Sequence, residues 1–527
     1  SDIKMKRQLN IKLACKWIVA TGMLSAVFTG CRTRESAGDL NWLEQYNVVW
    51  TTQSENGSGS MPGSCGDIGL NIWVENIELK VYMGRAGYRD ENGALLKPGR
   101  VRINLTPNPF ENGIFRQELK LREGYVLING ALPDGKPVEI KTWVEGSRPI
   151  VHLDINADKP VTVEATYESW RTEDIELPND PSKYDRRAMC MMNCDTYEGK
   201  VFLYKDEIRA SEKFVRFHHR INNAKDCFNF QVEQQGLEAV REQLVNPLEN
   251  LIWGGALVGD NLVLAGETRG TYAETPFKGW KYTSKEPAKS HRIRVCMHID
   301  QVEEQNVWDA ALQELIDLAP QEDAEAWKEN QQWWMEFWNR SHLLINSGRG
   351  EEDAVWRIGR NYQLFRYMLA SNVSGRESTQ FNGGLFTFDP LFVNGRKGPG
   401  YTPDHRQWGA GLTAQNQRMM VWPLLKSGDF DMVTPGFSLY LDGLPNAMAR
   451  VRHYWKHDGC CFTEQTAITA LPGAAIYGFD QTSGRSRPKD LEPGIQVNKA
   501  CAYIYESQLE YAWLMLSFYQ FSGVDLS

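Results

Sequence analysis

The chain has 527 residues, 42% hydrophobic and 24% charged, with a formal net charge of −9, which excludes a collagen-like, wholly disordered or polytopic membrane protein and fits roughly two to four globular domains. Its 58 Lys and Arg form no basic block outside the extreme N-terminus, so no nucleic-acid partner is expected. Aromatic residues are in excess, with 18 Trp, 20 Tyr and 21 Phe; most rings fill cores, and a minority could stack on the apolar face of a sugar.

In chain order, the N-terminus comes first. Met5, Lys6, Arg7, Lys12 and Lys16 precede an apolar run from Trp17 to Phe28, then Thr29-Gly30-Cys31. A basic segment, an apolar run too short to span a bilayer and a small-residue cleavage site predict a secretory signal over residues 1–30, with residues 1–4 upstream of the start Met. Phe-Thr-Gly-Cys looks like a bacterial lipobox, which makes Cys31 the acylated residue and 31–46 a tether. The expected location is the outer membrane of a Gram-negative cell, on its periplasmic or outer face. An ordinary signal peptide with an incidental Cys is the alternative. Cys65, Cys190, Cys194, Cys227, Cys296, Cys460, Cys461 and Cys501 are too sparse for a disulfide framework and read as packing residues. Cys190-x-x-x-Cys194 lacks the second pair of a zinc site.

Residues 47–300 read as an antiparallel β-sandwich. Alternating, β-branched runs occur at Asp67–Glu75, Glu78–Met83, Arg100–Leu105, Phe115–Gly130, Val138–Trp143, Ile150–Ile155, Val161–Tyr167, Phe214–Ile221, Asn261–Ala265 and His291–Ile299. Asn92-Gly93, Asn112-Gly113 and Asp134-Gly135 punctuate them as turns, and one amphipathic helix is expected near Gly236–Val245. Beyond residue 300 the period becomes helical. Trp308, Leu312 and Leu315, then Trp327, Trp333, Trp334, Phe337 and Trp338, mark a helical connector over 301–341. Helices follow at Val355–Ala370, Thr413–Leu425, Phe437–Tyr454 and Ala502–Phe521, so the part from Ala324 onward holds five or six. Two long irregular stretches, Phe381–Gly411 and Lys456–Lys499, exceed ordinary loop length and are therefore the places to look for function.

The first of these gathers Asn382, Asp389, Asp404, His405, Arg406 and Trp408 among glycines that let backbone approach a ligand, and Gln415 and Asn416 follow on the next helix. These residues serve equally well to hydrogen-bond the loop to its surroundings. The second stretch holds Glu464 beside Phe462, where desolvation would favour the neutral carboxyl that a general acid needs. Glu464 could instead cap a turn or bind sugar hydroxyls. His453-x-x-x-His457 has the spacing of a metal pair but lacks the Glu of the His-Glu-x-x-His motif, so no metal is assigned. No nucleophile elbow, phosphate-cradling loop or dinucleotide fingerprint occurs, which sets aside serine hydrolase, kinase and dehydrogenase readings, and no cofactor is expected.

Several stretches carry a family likeness: Asn47-Val-Val-Trp50, Gly57-Ser-Gly-Ser-Met-Pro62, Gly66–Val74, Arg100-Val-Arg-Ile103, Tyr401-Thr-Pro-Asp-His405, and Asn416 ahead of Val421-Trp-Pro423. With the order of signal, sandwich, Trp-rich connector and helices, the chain resembles bacterial six-hairpin glycosidases. Through most of its mature length it is similar to the domain of unknown function 5703 family, and more faintly to the alpha-L-fucosidases of glycoside hydrolase family 95. The resemblance implies a sandwich followed by an (α/α)6 toroid, of which 342–527 would be the first part. In the fucosidases two Asn residues position the attacking water, an Asp assists and a Glu protonates the leaving oxygen with inversion. Counted back from Trp422-Pro423, the second Asn falls on Asn416 and the first on Ala414, so the pair is broken, and the counterpart of the acid falls beyond Ser527.

The leading expectation is an inverting glycoside hydrolase acting on an oligosaccharide or polysaccharide. Asn416 and Glu464 would be catalytic, with Asn382, Asp389, Asp404, His405, Arg406, Trp408 and Gln415 binding substrate. The alternatives are a non-catalytic glycan-binding surface lipoprotein and a polysaccharide lyase.

Overall fold

The computed structural model describes residues 40–524 apart from 178–198, 322, 373–374, 376, 378–379, 407–408, 410, 481–482, 499–500, 503 and 505. The signal, Cys31, the Cys190/Cys194 pair and Trp408 therefore lie outside the described residues. The chain divides into residues 1–40 and 41–527, and the described strands and α-helices all belong to the second unit.

The strands are β1 Val48–Trp50, β2 Met61–Cys65, β3 Ile68–Glu75, β4 Glu78–Arg85, β5 Arg100–Thr106, β6 Phe115–Lys120, β7 Tyr125–Ala131, β8 Pro137–Val144, β9 Ile150–Ser169, β10 Ile175–Glu176, β11 Phe202–Leu203, β12 Glu207–Ala210, β13 Phe214–Arg220, β14 Leu251–Gly259, β15 Leu262–Tyr272, β16 Thr275–Ser284 and β17 Ala288–Gln301. Fifteen of them form one antiparallel sheet with two branches. One branch runs β1-β6-β7-β8-β9-β17-β14-β13-β12; the other joins β2, β3, β4 and β5 to β9, and β9 to β16 and β15. The strand common to both is β9. Its first half pairs with β8 and β17, and its second half with β5 and β16.

Three local expectations are corrected: first, Phe115–Gly130 is not one run but the hairpin of β6 and β7. Ile150–Ile155 and Val161–Tyr167 are not separate strands but the two halves of β9. The polar run Asn156–Pro160 between them stays extended where the strand passes from one branch to the other. Strand β14 has no clean alternation because of Gly254 and Gly255, where a Cβ would come 2.1 Å from Phe217 O and 2.3 Å from Cys296 O. The helix expected near Gly236–Val245 is instead α1 Cys227–Gln234, capped by Asp226 accepting from Asn229 N and stopped by left-handed Gly236. The spacing of Leu237, Val240 and Leu244 is realised in a 3-10 turn, Glu238–Gln243, that packs on Phe228, Val232 and Leu471.

After the strands come α2 Gln305–Leu318, α3 Asp323–Arg340, α4 Ala354–Ala370, α5 Leu391–Asn394, α6 Ala414–Ser427, α7 Thr434–Asp442, α8 Leu444–Trp455, α9 Ala474–Gly478 and α10 Glu506–Ser522. Helix α2 buries Trp308, Leu312 and Ile316, one stripe at helical spacing, against Ile150, Ile252 and Cys296 of the sheet. Helix α3 docks through its aromatic residues. Trp338 Nε1 donates to Leu121 O at 2.7 Å, Asn330 donates to Glu123 O at 3.0 Å, and Lys141 lies over the Trp327 ring. The single helix expected over Phe437–Tyr454 is two, because Pro445 in the first turn of α8 has no N–H to continue α7 past Gly443. Helix α10 packs on α6 through Trp422 and Trp513, 4.6 Å apart, and leaves Leu509, Leu516 and Phe521 exposed. Cys65, Cys227 and Cys296 are packing residues; Cys460 is not, since the loop after α8 leaves it exposed.

Candidate active site

Strands β3 and β4 are buried almost throughout, yet they carry polar and aromatic residues on one face: Asn71, Trp73 and Glu75 on β3, Lys80 and Tyr82 on β4. Successive side chains of a strand point to opposite faces, and the register sets Trp73 opposite Lys80 and Asn71 opposite Tyr82, so these residues share a surface. Beside them the paired Gly69 and Gly84 leave it flat. A Cβ at Gly69 would meet Leu385 Cβ at 2.7 Å, and one at Gly84 would meet Leu385 O at 2.6 Å, so the loop from Phe381 lies directly on the strands. Asn71 donates to Phe386 O at 3.1 Å and the Lys97 ammonium to Leu385 O at 3.1 Å.

This contact delivers Asp389 into the sheet face. The Tyr82 hydroxyl donates to its Oδ2 at 2.8 Å; its Oδ1 is buried with no hydrogen-bond partner, and the residue is 1% exposed. Trp73, Tyr82 and Trp170 form a buried aromatic cluster with Tyr272 and Phe388 packed against it. A Cβ on Gly57 would stand 3.6 to 3.7 Å from Trp73, the Tyr272 hydroxyl and Asp389 Oδ2, which places the turn Gly57–Gly59 over the carboxyl. Burial pushes the Asp389 carboxyl up to about 6, against the lowering effects of the Tyr82 hydroxyl and Arg100. Arg100 is fixed by Glu168 at 2.6 Å and lies 4.3 Å from the centre of the Tyr272 ring. The Tyr272 hydroxyl and Trp73 Nε1 donate to Glu75 Oε2 at 2.7 and 2.9 Å. Lys97, also buried, is lowered to about 7, first by desolvation and then by Arg406.

Asp404 reaches the same region and is saturated. Its Oδ1 accepts from Lys97 N at 2.6 Å, and its Oδ2 from Trp170 Nε1 at 2.6 Å and Arg171 at 2.8 Å. Arg171 continues to Asp206 at 2.7 Å; His219 faces Asp206 at 3.1 Å through Nδ1 and Glu91 at 3.2 Å through Nε2. Burial would lower the imidazole, but the two carboxylates win and hold it protonated up to about 10. This buried charge chain clamps the Thr402–Arg406 segment to the strands. Arg406 donates to Asn382 O at 2.9 Å and Gly384 O at 2.8 Å, and burial, then Arg89, lowers it to about 9. His405 is buried with its ring 4.8 Å from Tyr401, and Asn382 is half-buried.

Glu464 lies elsewhere. Its backbone oxygen accepts from Ala414 N at 2.9 Å, its Oε1 from Gln415 N at 2.8 Å, and its Oε2 from the Ser507 hydroxyl. It thus caps the first turn of α6 from a distant loop. Gln415 and Asn416 are exposed on that turn. The structure therefore gathers Asn382, Asp389, Asp404, His405 and Arg406 against the strands and sets Glu464, Gln415 and Asn416 at α6. Sequence reasoning missed Trp73, Tyr82, Lys97, Arg100 and Tyr272. The one available signal was a Trp, a Glu, a Lys and a Tyr at alternate positions on strands otherwise rich in buried residues.

Fold and site together describe a mixed β and α protein with a large antiparallel sheet, whose face receives a carboxylate from a loop of the helical part. The family described as domain of unknown function (DUF5703) matches residues 49–343, and the chain belongs to it. No curated protein matches. Among solved structures, the chain is similar to one described as a kojibiose phosphorylase from the human microbiome, at 12% identity over 82% of this chain and 53% of that one, with a TM-score of 0.45. It is also similar to a bacterial glucoamylase complexed with acarbose, at 9% identity over 81% of this chain and 56% of that one, with a TM-score of 0.35. The chain spans just over half the length of each.

Proposed function

We propose that this protein acts on a complex glycan as an inverting glycoside hydrolase, exported as a lipoprotein acylated at Cys31 and held at the outer membrane. In this reading residues 47–300 are the sandwich, 301–341 the connector, and 342–527 belong to an (α/α)6 toroid. The supporting observation is Asp389: a buried carboxyl with one oxygen oriented by Tyr82 and the other without a partner, among Trp73, Tyr272 and Phe388. A group of this kind, titrating near 6, accepts or donates a hydrogen bond to a sugar oxygen while the half-buried Tyr272 and Phe388 rings take the sugar's apolar face. Asp404, fully engaged by Arg171, Trp170 and Lys97, positions the loop that carries it.

The test is turnover of aryl glycosides and plant or host glycans by the full-length protein, with Asp389→Asn, Tyr82→Phe, Glu464→Gln and Asn416→Ala. Asp389→Asn and Tyr82→Phe should raise KM or lower kcat/KM by roughly tenfold or more, the loss expected for a buried polar contact. Unchanged kinetics in both would remove Asp389 from the site, and unchanged kinetics in the other two would remove Glu464 and Asn416.

A second reading, glycan binding without cleavage, draws on the α6 turn. Ala414 stands where the fucosidases have an Asn, Asn416 is exposed, and both carboxyl oxygens of Glu464 are taken by a helix N–H and by Ser507. Saturable glycan binding with no product on prolonged incubation would decide for it.

A further inference from the structure

The loop after α8 encloses a cleft of about 500 Å³ with the C-terminal half of α8 and the start of α10. Val451, Trp455, Phe462, Ile495 and Ile504 give it apolar walls, and Gln496 faces it among them. Gln496 is 3% exposed, and neither its amide nitrogen nor its oxygen has a hydrogen-bond partner. Buried amides are almost always bonded, so a bare donor and acceptor on a cleft wall marks a place for a polar ligand. Most neighbouring polar groups are committed, although the buried Arg450 Nε also lacks a partner. Gln508 Oε1 accepts from Phe462 N at 3.0 Å, Glu492 from Trp455 Nε1 at 2.9 Å, and the terminal nitrogens of Arg450 donate to Cys461 O and Gly494 O at 2.9 and 3.4 Å. Burial raises the Cys460 thiol and raises Cys501 to about 11, so neither brings an anion to the wall.

An amide able to give and accept a hydrogen bond at once, beside a half-buried indole, is the chemistry that recognises adjacent hydroxyls and the C–H face of a pyranose. We propose that this cleft binds one neutral pyranose unit of a glycan, held by the Gln496 amide and stacked on Trp455. The site is separate from Asp389 and would stand even if nothing is hydrolysed there.

The experiment titrates the full chain with the methyl glycosides of glucose, galactose, mannose, xylose and fucose, and with methyl glucuronide. It reads tryptophan fluorescence and saturation-transfer NMR. At least one neutral glycoside should bind saturably, and Trp455→Leu and Gln496→Leu should each weaken it about tenfold or more. Gln496→Leu should at the same time raise Tm, because it replaces a bare buried amide with an apolar group of similar size. Binding weakened by Asp389→Asn but by neither Trp455→Leu nor Gln496→Leu would belong to the Asp389 site and would overturn the proposal, which keeps the two readings apart. Should Gln496→Leu fail to fold, Trp455→Leu decides alone. Binding of no glycoside, binding of the glucuronide only, or equal affinity in the variants would overturn the proposal.

Discussion

Replacing Asp389 by Asn tests the central feature of the site, because the native carboxyl is held in a place that disfavours its charge. Its value rises from 3.8 to about 6, burial being the cause that prevails over Tyr82 and Arg100. About two pK units correspond to about 3 kcal/mol of difference between the charged and neutral forms. The folded state binds the proton more tightly than the unfolded chain. Its contribution to stability is therefore full below pH 4 and is lost as pH rises through about 6. Asn resembles the neutral acid: its oxygen keeps the Tyr82 bond, and its nitrogen takes the place of Oδ1. Wild type and variant should be equally stable near pH 4, and by pH 7 the variant should be more stable by up to about 3 kcal/mol. Urea midpoints measured at intervals from pH 4 to 8 read this difference. Lys97, lowered to about 7, acts in the opposite direction at higher pH, where stability gains as pH climbs from about 7 toward the lysine's ordinary range. Asp389 also helps to hold the Lys97 proton, so the difference between the two proteins is read chiefly from pH 4 to 6, below the range in which Lys97 titrates. Parallel curves from pH 4 to 7 would show that the carboxyl is not held neutral by burial, and the assignment of Asp389 to the site would fall with it.

Two further substitutions probe how the loop is seated. Gly84→Val places a side chain where Leu385 O already stands 2.6 Å from the Cβ position, so the Phe381–Arg406 loop should lift. Faster limited proteolysis within that loop, with a loss of about 1 to 3 kcal/mol, is expected, and an unchanged cleavage pattern would count against direct loop-on-strand packing. Asp404→Ala removes the acceptor shared by Arg171, Trp170 and Lys97 and leaves a buried guanidinium half-paired. The urea midpoint should fall by the equivalent of about 3 to 5 kcal/mol, and a loss under about 1 kcal/mol would mean that the charge chain does not clamp the loop.

Alternation and helical spacing were enough to read most strands between Ile68 and Gln301, the stripe of Trp308, Leu312 and Ile316, and the loop that carries Asp389 and Asp404. These are local properties: a strand repeats every two residues and a helix every 3.6 or so, and both leave a mark on neighbouring positions. Where a local mark misled, long-range packing had overridden it. Asn156–Pro160 is polar yet stays in β9, because the strand is paired on both sides of that stretch. Gly254 and Gly255 hide β14, because close approach of Phe217 and Cys296 admits no Cβ.

The sequence by itself determined that Asp389, Asp404 and Glu464 were residues worth examining, since carboxylates in long irregular stretches between helices stand out in one dimension. Their roles were decided only in three dimensions. Glu464 caps a helix that begins fifty residues before it, at Ala414. Asp404 is neutralised by Arg171, 233 positions away, and Asp389 meets Tyr82 at a separation of 307. Whether a carboxyl is left bare, paired or spent on a backbone N–H depends on which partners the fold brings within about 3 Å, and no spacing along the chain encodes that distance.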